Sequence, residues 1–270
     1  MRKIAIIGGS GVYNPEALAG FEKKIIDTPY GQALVNVGML YGNQVAFITR
    51  HGVGHSVPPH KINYRANIWA LKSLGTEEIL ATTAVGSLNP EMTAGHFVVC
   101  NDLLDFTKSR INTFFDGERL PVGHADFTHP YCEKVRQKII ACLKQTDIAF
   151  HTHGTYVCTE GPRFESAAEV RMFARLGGDV VGMTNCPESV LAREAEMHYS
   201  TVSIVTNMGA GISKTPLSHQ EVIDAMAKSI KNMEKLISSF IAYNEDAKAS
   251  CTCATTMQEF GGFKLEGMKK

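Results

Sequence analysis

No stretch of this chain is apolar for the ~18 residues that a membrane-spanning helix requires. Neither sign of charge is in excess, with 27 Lys and Arg against 27 Asp and Glu. Without a basic block, neither nucleic acid nor an anionic membrane is an expected partner. The start Met1-Arg2-Lys3 leads straight into a short strand rather than a signal peptide, so the expected location is the cytoplasm. There are no paired doublets of metal ligands, which argues against zinc or any other metal. There are also no internal repeats and no Pro- or Ser-rich linker. The cysteines number 7, at positions 100, 132, 142, 158, 186, 251 and 253. An odd, scattered set reads as buried small hydrophobes rather than a disulfide framework. Cys251-Thr252-Cys253 stays open between an ordinary polar tail and a redox-active or inter-chain pair.

What is present is an ordinary core: 270 residues, 44% apolar and 20% charged. Short apolar runs alternate with amphipathic ones. Strands are expected at Lys3–Ile7, Gln44–Thr49, Glu78–Val85, His96–Cys100, Thr155–Cys158, Asp179–Met183 and Thr201–Thr206. Helices are expected at about Tyr64–Leu74, Pro130–Gln145, Ala167–Leu176 and Glu188–Met197. A last helix opens at a capping box, Ser218 with Glu221, and repeats Val222, Met226, Ile230, Met233, Ile237 and Ile241 at helical spacing. The expectation is one α/β domain over residues 1–245, with a loosely ordered tail over 246–270.

Strand ends carry the chemistry. Gly8-Gly9-Ser10-Gly11 offers backbone N–H groups and a hydroxyl, although Gly-rich turns after strands are common and this one alone names no ligand. Arg50-His51-Gly52 ends another strand, and Arg is the preferred fork for a tetrahedral oxyanion, with His51 able to add a donor. Thr83 and Ala84, then Val85 and Gly86, end a third, and Met183-Thr184 a fourth. Ligands of open α/β sheets bind at strand carboxyl ends, and this donor set suits inorganic phosphate without a metal. Phe164 can stack on a planar ring, while Glu165 is either an acceptor for ring N–H groups or a helix-start carboxylate. Asn207, followed by Met208 and Gly209, ends the strand Thr201–Thr206, where its carboxamide can donate and accept in one plane. His219 follows at the start of the last helix.

These residues resemble the phosphorolytic purine nucleoside phosphorylases, in the branch shared with methylthioadenosine phosphorylases. The motifs are Ile6–Gly11, Thr28-Pro29-Tyr30-Gly31, Arg50-His51-Gly52, Pro58–Leu71, Glu160–Phe164, Gly182-Met183-Thr184 and Pro187-Glu188, spread over about residues 3–244. The resemblance implies a central mixed β-sheet, partly barrel-like and flanked by helices. It implies phosphate as co-substrate, no cofactor, and assembly as a homotrimer or a dimer of trimers. Ser10, Arg50, His51, Thr83, Ala84 and Thr184 would hold phosphate. Met183 would pack on the ribose and Phe164 near the base, beside Val85, Gly86, Met208 and Gly209. His124 of a neighbouring subunit would complete the 5′ pocket.

Two positions depart from the methylthioadenosine branch, which carries Asp in place of Asn207 and Ser in place of Glu165. Adenine shows a donor at C6 and a bare acceptor at N1, so a Glu beside N1 would oppose two lone pairs. Hypoxanthine and guanine show O6 as acceptor and N1–H as donor, which Asn207 and Glu165 complement. His219 would serve a ribose 5′-hydroxyl rather than a methylthio group. The expected activity is therefore phosphorolysis of inosine and guanosine in purine salvage, with methylthioinosine or methylthioadenosine as the alternative substrate.

Overall fold

The structure, a computed structural model, describes residues 1–9, 20–212, 219–244 and 249–265, with the backbone alone for 219–226 and 228. Among the described residues eleven strands form one mixed sheet: β1 (Lys3–Gly8), β2 (Glu22–Thr28), β3 (Gly31–Leu40), β4 (Asn43–Thr49), β5 (Glu78–Ser87), β6 (Phe97–Val99), β7 (Asp102–Phe106), β8 (Phe150–His151), β9 (Thr155–Thr159), β10 (Val180–Gly182) and β11 (His198–Met208). The helices are α1 (Tyr64–Ser73), α2 (Glu133–Leu143), α3 (Ala167–Arg175), α4 (Asn185–Glu194) and α5 (His219–Ala242). The main path runs β2-β3-β4-β1-β5-β10-β9-β7, while β11 pairs with β5 and leads to β6 and β8.

The layering follows from alternation along β1, which is buried on both faces. Ala5 and Ile7 point into a core shared with α1 and α4, through Ile68, Trp69, Leu71 and Leu191. Ile4 and Ile6 point the other way, into a core shared with α2 and α5, through Val135, Ile139, Met233 and Phe240. A helix layer on each face satisfies a sheet with no solvent side.

The strands and helices expected from sequence all appear, with ends shifted by a few residues. β2, β3, β7 and the two-residue β8 were not foreseen. β2 is an edge strand whose Glu22, Lys23, Ile25 and Asp27 face solvent, so it lacks an apolar run. β3 contains Gly38, normally a strand breaker. There the ring of Phe21 lies where a Cβ would stand, 2.5 Å away, so the glycine makes room for it. Ser218, half of the expected capping box, lies outside the described residues.

Within the tail expected to be loosely ordered, the described residues 249–265 instead pack. Cys253, Met257 and Phe263 are buried, and the Phe263 ring lies 5.1 Å from those of both Trp69 and Phe114. The Glu196 carboxylate accepts from the backbone N–H groups of Met257 and Phe263, each at 3.2 Å. The segment lacks periodicity because its apolar residues are single anchors, not a face.

Candidate active site

The site opens where β5 changes neighbours. β1 pairs with Glu78–Ala81 and β10 with Gly86 and Ser87, while β11 runs along the other edge. The stretch Thr82–Val85 therefore has no strand on one side among the described residues, and its polar groups seek other partners. Thr82 Oγ1 accepts from the Gly9 N–H at 3.0 Å, and its carbonyl accepts from Arg50 Nη1 at 2.8 Å. A Cβ on Gly9 would stand 2.7 Å from that carbonyl, so glycine is what allows the end of β1 to come so close. A cleft of about 350 Å³ lies above this gap.

Arg50 is held from one side. Its Nε and Nη2 donate to the two Glu188 oxygens at 2.6 and 2.7 Å, a fully buried fork. A guanidinium has five N–H groups; this fork and the Thr82 carbonyl engage three of them, leaving two for an anion in the cleft. Tyr199 steadies Glu188, its hydroxyl lying 2.9 Å from Glu188 Oε1 and 2.8 Å from Asn185 Oδ1. Burial works against the Arg50 charge, but the Glu188 carboxylate outweighs it and the group stays protonated.

His51 departs from expectation. Its Nδ1 lies 2.9 Å from the Val57 carbonyl, which can only accept, so Nδ1 carries the proton. Burial, then the Arg50 charge, pushes the imidazole down to about 4. The ring is neutral at pH 7 and Nε2 is an acceptor. The donor expected of His51 is already spent on Val57; what remains can receive a P–OH hydrogen bond. His55 stacks on the ring at 4.2 Å between centroids.

The opposite wall is built from the ends of β9, β10 and β11. One guanidinium, Arg110, ties the first two together: Nη1 donates to the carbonyls of Met183 and Cys186 at 2.7 and 2.6 Å, and Nη2 to that of Glu160 at 2.7 Å. Where the loop after β9 ends, Ser166 at the N-cap and Glu169 in the first turn make the capping box of α3. The helix-start role open to Glu165 thus belongs to Glu169. Glu165 turns toward the cleft, with Oε1 accepting from the Thr159 hydroxyl at 2.6 Å. Burial raises its pKa above the ordinary carboxylate value. Phe164 remains 43% exposed at the mouth.

A bulge aims Asn207. The β5–β11 register slips between Val205 and Asn207, leaving Thr206 as the extra residue. Asn207 Nδ2 donates to the Met208 carbonyl at 2.9 Å, and Oδ1 accepts from the Thr206 hydroxyl at 2.8 Å. Because that carbonyl can only accept, the amide orientation is fixed. One N–H and one oxygen lone pair remain.

A family model described as the phosphorylase superfamily matches residues 3–242. The chain belongs to the phosphorylase superfamily. The 6-oxopurine nucleoside phosphorylase of Pyrococcus furiosus is 54% identical over 242 residues, spanning 88% of this chain and 91% of that one. A probable S-methyl-5′-thioinosine phosphorylase of Methanothermobacter thermautotrophicus is 46% identical, spanning 93% and 87%. The solved structure of a methylthioadenosine phosphorylase from an Antarctic soil metagenomic library matches with a TM-score of 0.88 at 35% identity, spanning 96% of this chain and 92% of that one.

In this phosphorylase the residues expected from sequence divide three ways. Arg50, His51, Thr83, Ala84, Val85, Gly86, Phe164, Glu165, Met183, Thr184, Asn207 and Gly209 all line the one cleft. Met208 does not; it contributes the carbonyl that fixes Asn207. His124 is exposed outside this cleft, edge-on to Phe260 at 6.3 Å. Ser10 and the side chain of His219 lie outside the described residues. Sequence reasoning gave no role to Glu188, Tyr199 or Arg110. Glu188 stood in a quoted motif, but only the fold brings it to Arg50, 138 positions away.

Proposed function

We propose that this phosphorylase cleaves inosine and guanosine with inorganic phosphate, releasing the free 6-oxopurine and ribose 1-phosphate. One observation carries the reading: Glu165 and the orientation-fixed amide of Asn207 line the same cleft. As the anion, Glu165 accepts the purine N1–H. The unused Asn207 N–H donates to O6, and its oxygen accepts from N7–H. An adenine in the same place leaves buried polar groups unpaired, a discrimination of orders of magnitude. The level of the relatives named for 6-oxopurines, above those named for methylthio substrates, supports the same choice.

In the mechanism, phosphate rests on the free edge of Arg50 with Thr83, Ala84 and Thr184, and its P–OH meets His51 Nε2. The glycosidic bond stretches, leaving an oxocarbenium-like ribose beside Met183. A phosphate oxygen bonds to C1′ as the C1′–N9 electron pair moves into the purine. The hydrogen phosphate ion supplies the net proton that appears at N7, where Asn207 stabilises the developing charge. No side-chain nucleophile and no cofactor enters.

The reading extends to purine salvage in the cytoplasm, consistent with neutral net charge and free cysteines. It also includes a homotrimer or dimer of trimers, in which His124 reaches a neighbour's 5′ pocket; its exposure supports this role. The test is the double variant Glu165→Ser with Asn207→Asp. The ratio of kcat/KM for adenosine to that for inosine should rise by at least about tenfold; no rise would remove both residues from base reading.

A further inference from the structure

The described residues gather a second constellation far from the cleft. Cys132 immediately precedes α2, His198 begins β11, and Cys251 and Cys253 come from the packed tail. Their ligand atoms all lie within 4.8 Å of one another. Because β11 rises ~3.3 Å per residue, His198 and Asn207 stand roughly 30 Å apart along it. The cluster is therefore separate from the catalytic chemistry.

We propose that Cys132, His198, Cys251 and Cys253 form a closed site for one zinc ion, which fastens the C-terminal segment to the body. Hydrogen bonding alone accounts poorly for the arrangement. His198 Nδ1 lies 3.4 Å from Cys132 Sγ and 3.3 Å from Cys251 Sγ. A neutral imidazole nitrogen has one lone pair or one N–H, so it serves one of these sulfurs, not both. A shared cation serves both. With Zn–S about 2.3 Å and Zn–N about 2.0–2.1 Å, a tetrahedron has S···N edges of about 3.6 Å and S···S edges of about 3.8 Å. The cluster is already close to that size.

Charge is matched as well. Three thiolates and a neutral His around Zn²⁺ leave one negative charge, and Arg193 Nη1 donates to Cys253 Sγ at 3.3 Å. Binding would release the three thiol protons to solvent. Four protein ligands leave no open position, so the ion would be structural. Thiolate and imidazole ligands at tetrahedral spacing favour zinc over magnesium or calcium.

The experiment uses the untagged full chain. Zinc is added, the excess removed by gel filtration, and bound metal measured by mass spectrometry beside a free-thiol titration. The expected result is about one zinc per chain, falling at least about tenfold in Cys253→Ser and unchanged in Cys142→Ser, a buried cysteine outside the cluster. Because Cys253→Ser could unfold the tail, wild-type protein is also loaded with Co²⁺. Tetrahedral thiolate coordination gives intense visible absorption. Wild type holding no zinc, cobalt protein without that absorption, a Cys253→Ser variant with unchanged zinc, or a thiol count showing these cysteines joined in a disulfide would each overturn the proposal.

Discussion

Arg50 and Glu188 meet through two parallel N–H···O bonds of 2.6 and 2.7 Å, and neither side chain is more than 2% exposed. The pair turns the guanidinium so that its remaining N–H groups are available to the cleft. Breaking such a pair from one side costs about 3–5 kcal/mol, since a buried charge is left uncompensated. Glu188→Gln should therefore lower Tm by roughly 10 °C and raise the KM for phosphate about tenfold or more while moving that for inosine much less. A loss of stability with an unchanged phosphate KM would restrict Glu188 to a folding role.

His51 gives a signed dependence on pH. Its pKa falls from 6.5 to about 4 on folding, chiefly through burial. Between those values the unfolded chain binds more protons than the folded one, so stability rises with pH through this window and is lost as pH falls through it. The loss attributable to His51 is up to about 3 kcal/mol. Denaturant unfolding at pH 7 and pH 4.5 should show a smaller acid loss for His51→Gln than for the parent protein. Equal losses would place the acid sensitivity elsewhere.

Glu165 shapes the acid limb of activity. Burial raises its pKa, and only the ionised form accepts the purine N1–H. For inosine, kcat/KM should therefore decline on acidification already above the ordinary carboxylate range. In Glu165→Gln the rate should be low throughout and this limb absent. A limb persisting in that variant would belong to another group.

Gly86 touches the amide that reads the base. A Cβ there would stand 3.1 Å from Asn207 Nδ2, and the backbone φ at Gly86 imposes no left-handed strain. Gly86→Ala should displace Asn207 by a few tenths of an ångström and lower kcat/KM for inosine about tenfold, with little change in Tm. Unchanged kinetics would mean that the amide position is not critical.

Much of the cleft was legible because α/β sheets bind at strand carboxyl ends, and Arg50, Thr184 and Asn207 sit at such ends, whereas Thr83 lines the cleft from inside β5, where that strand changes neighbours. The chemistry of individual groups was less so. Whether His51 donates or accepts depends on the Val57 carbonyl, and which carboxylate starts α3 depends on Ser166 choosing Glu169. Arg110 carries no motif, and its carbonyl partners come from separated loops. The tail and its cysteines lacked any periodic signal, because contacts made by single anchors appear only once Trp69, Phe114 and His198 are in place.

Release of hypoxanthine from inosine, measured with and without inorganic phosphate and beside methylthioinosine and methylthioadenosine, tests the central claim most directly. Release should be strictly phosphate-dependent, with inosine cleaved at the highest kcat/KM and methylthioadenosine slower by orders of magnitude. Efficient cleavage of methylthioadenosine, or hypoxanthine release without phosphate, would contradict it.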